Sequence, residues 1–268
     1  MSRLVHENKQ FPADLAARCL LACLKDQQKL DHHDAQELIA WLQKNPAADP
    51  DVLFKIEWAY LPLLDHHFGG TPRSLEKRMV DDPDFFCEVL ALVFRSDKEE
   101  RREATPTETE VAIATNAFRL FRAWKTVPGS KPDGAFDDTI FAGWLAELKK
   151  RTQESGHHRV AMSQIGQVLP YAPVDPNGLW IREAVANALN AKDAAEMRSG
   201  FTCELVNMRG VFSYTAGKEE REIAARYNTK AEALEQKGFH RFATALRELA
   251  KRYEQDAERE ASRSPFED

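Results

Sequence analysis

Apolar residues recur along most of the chain at spacings of three and four residues, which is the period of an amphipathic α-helix. Near the start, the stretch FPADLAARCLLACLKDQQKL places Leu15, Cys19 and Cys23 on one face. Near the end, FHRFATALRELAKRYEQDAERE does the same with Phe242 and Leu249. Because no stretch shows a convincing alternation of apolar and polar residues, the pattern predicts helices and no strands.

Prolines and small polar residues indicate where these helices begin. Asp34 and Glu37 have the spacing of a capping box, in which each side chain bonds the backbone of the other residue. Three dipeptides combine a capping residue with a proline at the first helical position: Asp49-Pro50, Thr71-Pro72 and Asp82-Pro83. The chain is therefore predicted to start a new helix at each of these points.

Glycines and one further proline indicate where helices end. Gly156, Gly210 and Gly238 follow helical stretches at positions suited to a left-handed cap. Pro62 lies within the very apolar stretch DPDVLFKIEWAYLPLLDHHFGG, and it should kink or shorten that helix because proline has no amide hydrogen to donate. The two long stretches on either side of Gly238 are predicted to form an antiparallel helical hairpin.

These features predict an all-α protein, an irregular, solenoid-like array of about ten to twelve antiparallel helices that ends in the long hairpin. The segment 96–110, SDKEERREATPTETE, contains a single apolar residue and reads as a charged linker or loop. It would separate an N-terminal helical subdomain, 1–95, from a C-terminal one, 111–268. One continuous helical domain is the alternative.

The composition indicates a soluble, folded and cytoplasmic protein. Of the 268 residues 43% are hydrophobic and 30% are charged, and the formal net charge is −6, which does not favour a polyanionic partner. The most apolar run, from Phe85 to Phe94, is about half as long as a membrane-spanning helix. The four cysteines suggest no disulfide framework, and Cys19 and Cys23 are read as buried thiols rather than half of a zinc site.

Six of the eight histidines occur in three adjacent pairs, and two of these pairs belong to a repeated LDHH. Asp-His-His is also the signature of one class of metal-dependent phosphoesterases, which makes His32, His33, His66 and His67 weak candidate metal ligands. That class needs the triplet on a loop after a strand, with further aspartates around two metal ions. Each pair, including the one after Gly156, is instead predicted to lie at a helix end. We therefore expect no metal and no cofactor.

Two short stretches have the composition of a binding surface. GLWIRE brings Trp180 and Arg182 to the start of a helix, and NMRGV brings Asn207 and Arg209 beside a glycine. Tryptophan and arginine are enriched where proteins bind one another, so these four residues are the predicted binding surface. The alternatives are that Trp180 is buried and that Arg209 complements the last carbonyl groups of its helix.

Three longer blocks carry a resemblance to a protein family. They are IEWAYLPLLDHHFGGTPRSLEKRMVDDPDFFCEVLALVFR, SQIGQVLPYAPVDPNGLWIREAV and NMRGVFSYTAGKEEREIAARY. Together, and in this order from about Val52 to Tyr253, they resemble the helical C-terminal region of very large bacterial multidomain proteins to which no activity is assigned. The resemblance implies that the chain is a C-terminal part of a longer protein, with any catalytic or nucleotide-binding modules upstream.

The sequence therefore predicts a non-catalytic helical scaffold that binds another protein, or upstream domains of its own polypeptide, as a sensing or assembly region. It contains no glycine-rich phosphate loop and no recognisable nucleophile and base in the local contexts that hydrolases use. Two alternatives from other classes stay open, a nucleic-acid-associated regulator and a metal-dependent hydrolase that uses the histidine pairs. No membrane partner is expected.

Overall fold

The computed structural model describes residues 11–25, 31–64, 70–99, 105–131, 133–210 and 214–262. Within these ranges the chain forms twelve α-helices and two short 3₁₀ helices, and it forms no strand. The β-type pairing in the same ranges is one isolated bridge between Ser130 and Phe136. The predicted all-α class, with helices packed in an array, is confirmed. The chain divides into two compact units, Met1–Thr126 and Val127–Asp268.

The described part of the first unit contains six α-helices. They are α1 (Ala13–Lys25), α2 (His32–Leu42), α3 (Pro50–Ala59), α4 (Arg73–Asp81), α5 (Pro83–Val93) and α6 (Glu108–Ala123). The expected effect of Pro62 is confirmed, because α3 stops at Ala59 and the chain continues in a 3₁₀ turn, Leu61–Leu63. A proline in the second position of that turn has no intrahelical hydrogen bond to lose.

Two of the predicted helix starts are built as expected. At the start of α3, Asp49 accepts hydrogen bonds from the backbone N–H groups of Asp51 and Val52, at 2.9 and 3.2 Å. Asp82 caps α5 in the same way, and each helix has a proline at its first position. At both starts the aspartate side chain provides a hydrogen-bond acceptor for backbone N–H groups that have no carbonyl partner within the helix.

The predicted capping box of Asp34 and Glu37 is wrong. Helix α2 begins earlier, at His32, because Asp31 accepts a hydrogen bond from the backbone N–H of His33 at 2.9 Å. Asp34 lies in the first turn instead, where a negative charge is stabilised by the helix dipole. The sequence offered two aspartates three residues apart, and the one that precedes the histidines is the cap.

The start of α4 also differs from the prediction. Pro72 occupies the capping position and makes no side-chain hydrogen bond, and Thr71 does not cap the helix. A residue from another helix replaces the local cap. The buried carboxylate of Glu57, on α3, accepts hydrogen bonds from the backbone N–H groups of Ser74 and Leu75, at 2.8 and 3.0 Å.

Aromatic packing joins α6 to α5 within the first unit. The ring of Phe86 lies 5.4 Å from that of Phe121 and 5.5 Å from that of Trp124, and all three side chains are buried. Edge-on pairs at this distance add to the free energy gained from burial alone. The first unit therefore extends to Thr126, whereas the sequence suggested a boundary in the charged segment 96–110.

The described part of the second unit also contains six α-helices. They are α7 (Asp138–Ser155), α8 (His158–Val168), α9 (Glu183–Asn190), α10 (Ala195–Asn207), α11 (Lys218–Gln236) and α12 (His240–Ser262), with a 3₁₀ turn at Leu169–Tyr171. Gly156 and Gly238 take the predicted left-handed conformation, with φ of 78° and 84°. The hairpin of α11 and α12 around Gly238 is confirmed.

Two glycines allow the backbones of α8 and α10 to touch. A Cβ atom at Gly166 would lie 2.2 Å from the carbonyl oxygen of Met197, and one at Gly200 would lie 2.0 Å from that of Ser163. Backbone atoms cannot rotate away as a flexible side chain can, so both positions require glycine at this helix separation. The second unit thus contains two tightly packed helix pairs, α8 with α10 and α11 with α12.

Candidate binding groove

An open groove of about 670 Å³ runs between α10 and α12, where the two tight helix pairs of the second unit meet. Short side chains line much of it, including Ala195, Ser199 and Cys203 on α10 and Thr244 and Ala245 on α12. Because these side chains are small, they leave space between the two helices that longer side chains would fill. The volume is in the range of protein sites that bind other molecules.

The end of α9 fixes one end of the groove. Asn190, the last residue of α9, accepts a hydrogen bond from the backbone N–H of Arg241 at 2.8 Å and so caps α12. In return, Arg198 of α10 donates from Nη1 to the carbonyl oxygens of Leu189 and Ala191, at 2.7 and 2.9 Å. These bonds satisfy helix-terminal groups that would otherwise have no partner, and they hold α9, α10 and α12 in one arrangement.

Polar contacts also fix the other end. Arg209, just after α10, forms an ion pair with the buried carboxylate of Glu220 on α11. Burial is the largest single influence and raises the pKa of Glu220, but the hydrogen bonds to this carboxyl, the strongest of them from Arg209, together with the charge of Arg209 outweigh it and hold the pKa below its usual range. Glu260 of α12 accepts hydrogen bonds from the backbone N–H groups of Thr215 and Gly217, at 2.9 and 2.7 Å.

The groove continues beyond its main volume along α12. A second cavity of about 600 Å³ lies beside Arg209 and Glu260 and shares Val206, Leu249 and Arg252 with the groove. Val206 is exposed, with 46% of its surface accessible, although it is apolar. The two cavities therefore form one elongated surface along α12 that combines apolar contact area with charge.

Three charged residues on the α12 wall face the groove, and the charge of one of them, Glu248, acts on the guanidinium of Arg198. Arg241, Glu248 and Arg252 are exposed and line the groove, and none of them forms an ion pair or a side-chain hydrogen bond within the described ranges. Together with Arg198, three arginines against one glutamate leave two positive charges in excess. Burial lowers the pKa of the Arg198 guanidinium, and the nearby charge of Arg241 lowers it further.

Two of the four predicted surface residues belong to this region. Asn207 is exposed, lines the groove and donates from Nδ2 to Glu204 at 3.3 Å. Arg209 lines the second cavity, where its guanidinium pairs with Glu220 and lies 5.6 Å from the ring centre of Tyr253. The side chain of Arg209 thus reaches α11 and α12.

The other two predicted residues lie elsewhere in the second unit. Trp180 is half-buried, with its ring 5.9 Å from that of Phe242 and its indole N–H donating to the carbonyl oxygen of Lys230 at 3.1 Å. Arg182 donates from Nε and Nη2 to both carboxylate oxygens of Asp138, at 2.8 and 2.7 Å. Each side chain is occupied by contacts that join helices. A binding role for the four residues together stays a prediction.

The histidine pairs that the structure describes lie at helix ends, as predicted. His32 and His33 are exposed in the first turn of α2, and the Nε2 atom of His33 lies 3.3 Å from the carboxylate of Glu37. His66 and His67 lie outside the described residues. Among the residues that are described, no group of three or more histidine, cysteine, aspartate and glutamate side chains is close enough to hold a metal ion.

Sequence reasoning missed the residues that give the groove its charge. Arg241, Glu248 and Arg252 were not singled out, because charged residues on a long amphipathic helix ordinarily face solvent. Their spacing of seven and four residues does place them on one face of α12. The sequence does not show that α10 runs beside this face, because that position depends on contacts between residues far apart in the chain, such as the bond from Arg241 to Asn190.

The first unit has a smaller, apolar groove of its own. It encloses about 410 Å³ between α3 and α5 and is lined mainly by the large apolar side chains of Phe54, Trp58, Phe85 and Val89, with Leu92 at its exposed edge. Only two charged residues line it. Nothing in the described part of this unit indicates what would cover the groove, and it carries no functional assignment.

Comparison with known proteins identifies no relative of this chain. No protein-family model matches the chain, and neither a curated protein nor a solved structure matches it. The resemblance to large bacterial multidomain proteins therefore stays an expectation from the sequence. None of the helices within the described ranges combines the length and the apolar character that crossing a membrane requires.

Proposed function

We propose that the chain is a helical interaction module that binds a segment of a partner through the groove between α10 and α12. The partner is another protein or another part of the same polypeptide, as the resemblance to multidomain proteins would imply. In this proposal the protein has no catalytic residues of its own. The groove acts by fixing the position of the segment that it binds.

The observation that carries this proposal is an open groove with rigid walls. Its floor is accessible, and the hydrogen bonds of Asn190, Arg198 and Glu260 hold the surrounding helices in place at both ends. A site whose walls are already ordered loses little conformational entropy when a ligand binds. Exposed Val206 supplies apolar contact area, and the unpaired arginines supply charge that a partner would neutralise.

A peptide-display selection against the whole chain tests the proposal. We expect a library of helical and unstructured peptides to yield binders with dissociation constants in the micromolar range. Replacing Ala245 by Trp on the α12 wall, or Cys203 by Trp on the α10 wall, should abolish their binding by filling the groove. The two variants obstruct the groove from opposite sides, so the test does not depend on either one alone.

The matched control is Ala225→Trp, because Ala225 is exposed on α11 and does not line the groove. This variant should bind the selected peptides as tightly as the unmodified chain. Urea unfolding of each variant should show that it is folded under the binding conditions. The proposal is wrong if no peptide is enriched, or if the enriched peptides bind the folded groove variants and the unmodified chain equally well.

A further inference from the structure

The charges on the α12 wall specify what kind of segment the groove takes. Along one face of α12 the unpaired side chains alternate in sign, with Arg241, then Glu248 seven residues later, and Arg252 four residues after that. At a rise of 1.5 Å per residue, the two arginines lie about 16 Å apart along the helix axis, with the glutamate between them. The charges along the α12 wall therefore lie in one line, in the order positive, negative, positive.

A second helix lying along α12 would match this pattern with the same residue spacing. Residues that are four, seven and eleven positions apart share one face of any α-helix, because these numbers are close to whole turns. A partner helix can thus place an acidic, a basic and a second acidic residue opposite Arg241, Glu248 and Arg252. The small side chains of Ala195, Ser199 and Ala245 leave room for its backbone to approach.

We infer that the groove binds an amphipathic helix of a partner polypeptide that carries the reverse charge pattern, acidic, basic and acidic, on its docking face. This inference rests on the proposed function and adds the class of the partner. The exposed Val206, which lines the groove on the α10 side, would contact an apolar residue of the partner helix.

The electrostatics around Arg198 support an acidic residue at one end of the partner. Burial disfavours the protonated form of Arg198 and the nearby charge of Arg241 adds to this effect, while the charges of Asp193 and Glu248 act in the opposite direction. An incoming carboxylate beside Arg241 would offset this repulsion between two cations. Charge complementarity of this kind mainly determines which partner binds and in which register.

A single-stranded nucleic acid would also be attracted by arginines, but the lining argues against it. The residues that line the groove include no aromatic side chain on which a base could stack. Glu248 lies between Arg241 and Arg252, where it would repel a phosphate backbone that follows the groove. A polypeptide can place a basic residue at that position, and a nucleic acid cannot.

Two designed peptides test the inference on the full chain. The first is an alanine-based helix with Glu, Lys and Glu separated by seven and four residues and with leucines between them on the same face. The second has Lys, Glu and Lys at the same positions. We expect the first peptide to bind at least about tenfold more tightly, since three pairs change from attraction to repulsion. A short oligouridylate is the nucleic-acid probe.

A variant of the protein with reversed charges on the α12 wall provides the decisive comparison. The double variant Arg241→Glu with Arg252→Glu should bind the Glu-Lys-Glu peptide at least about tenfold more weakly and should bind the Lys-Glu-Lys peptide more tightly than the unmodified chain does. The matched control is Arg226→Glu with Lys251→Glu, which changes the net charge equally at exposed residues outside the groove lining. This control should keep the original preference.

The inference is overturned if neither peptide binds, if both bind equally, or if the Arg241 and Arg252 variant keeps the original preference. Binding of the oligouridylate that depends on Arg241 and Arg252 would also overturn it. These outcomes are distinct from failure of the proposed function. If display selection yields groove-dependent peptides with a different charge pattern, the interaction module stands and the helical partner does not.

Discussion

At the scale of single residues, the glycines between α8 and α10 determine how closely those helices pack. Replacing Gly200 by Ala would place a methyl group against the carbonyl oxygen of Ser163, and the helices would have to separate. We expect the free energy of unfolding to fall by about 2 kcal/mol, as for other overpacked sites. The same change at Gly166 should have a similar effect, measured by urea unfolding.

Gly143 provides the control for this prediction. It lies in α7, is exposed, and has nothing within 4 Å of the position that a Cβ atom would occupy. Replacing it by Ala should raise the free energy of unfolding by about 0.5–1 kcal/mol, because alanine favours the helical conformation. Equal effects of the Gly143 and Gly200 changes would show that α8 and α10 do not touch as described.

The buried carboxylate of Glu57 is a second residue whose role can be tested. It accepts hydrogen bonds from Gln43, which directly follows α2, and from Ser74 and Leu75 at the start of α4. Replacing Glu57 by Ala should lower the free energy of unfolding by about 2 kcal/mol, because buried donors lose their acceptor. Replacing exposed Glu88 by Ala should change it by less than about 0.5 kcal/mol.

The contribution of Glu57 to the free energy of unfolding should also depend on pH, in a defined direction. Burial raises the pKa of its carboxyl above the ordinary value of 4.5. The folded state therefore binds this proton more tightly than the unfolded state, and the contribution to stability is largest at low pH. The difference in unfolding free energy between the unmodified chain and the Glu57→Ala variant should shrink as pH rises through the folded-state pKa. A difference that grows with pH would contradict the assignment.

At the scale of helices, the beginning of α6 depends on a capping box. Thr107 accepts a hydrogen bond from the backbone N–H of Glu110 at 3.2 Å, and Glu110 accepts one from the backbone N–H of Thr107 at 2.8 Å. Thr107→Ala should lower the free energy of unfolding by about 1 kcal/mol and speed hydrogen exchange in the first turn. Thr115→Ala, an exposed change within the same helix, should have little effect on either measurement.

The sequence was sufficient to predict most helices because local signals determine where they begin and end. Asp49 and Asp82 cap their helices with their own side chains, and Gly156 and Gly238 end theirs in a left-handed conformation. The prediction failed at α4, where Glu57 supplies the cap from another helix. A contact between distant parts of the chain leaves no local pattern to recognise.

The groove could not be predicted from the sequence, because it too depends on contacts between distant parts of the chain. Asn207 and Arg209 were singled out because polar residues stand beside a glycine, and the structure places both along the groove or its continuation. Arg241 and Arg252 have the same spacing as ordinary solvent-facing arginines, and only the position of α10 gives them a shared space to line. That position depends on contacts between distant parts of the chain, including the hydrogen bond from the backbone of Arg241 to Asn190.

At the scale of the whole chain, the two compact units should fold separately when they are divided after Thr126. The fragments 1–126 and 127–268 should each unfold cooperatively in urea. A fragment 1–95 should not, because it lacks α6 and leaves the buried ring of Phe86 without Phe121 and Trp124. Cooperative unfolding of 1–95 with the same midpoint as 1–126 would show that α6 does not belong to the first unit.

The central claim, that the second unit binds a partner segment between α10 and α12, is tested most directly by amide hydrogen exchange. The measurement compares the full chain alone and saturated with the tightest peptide from the display selection. The account predicts slower exchange that is concentrated in Ala195–Asn207 and in the part of α12 from Arg241 to Arg252. Slowing confined to α3 and α5, which border the apolar groove of the first unit, would contradict it.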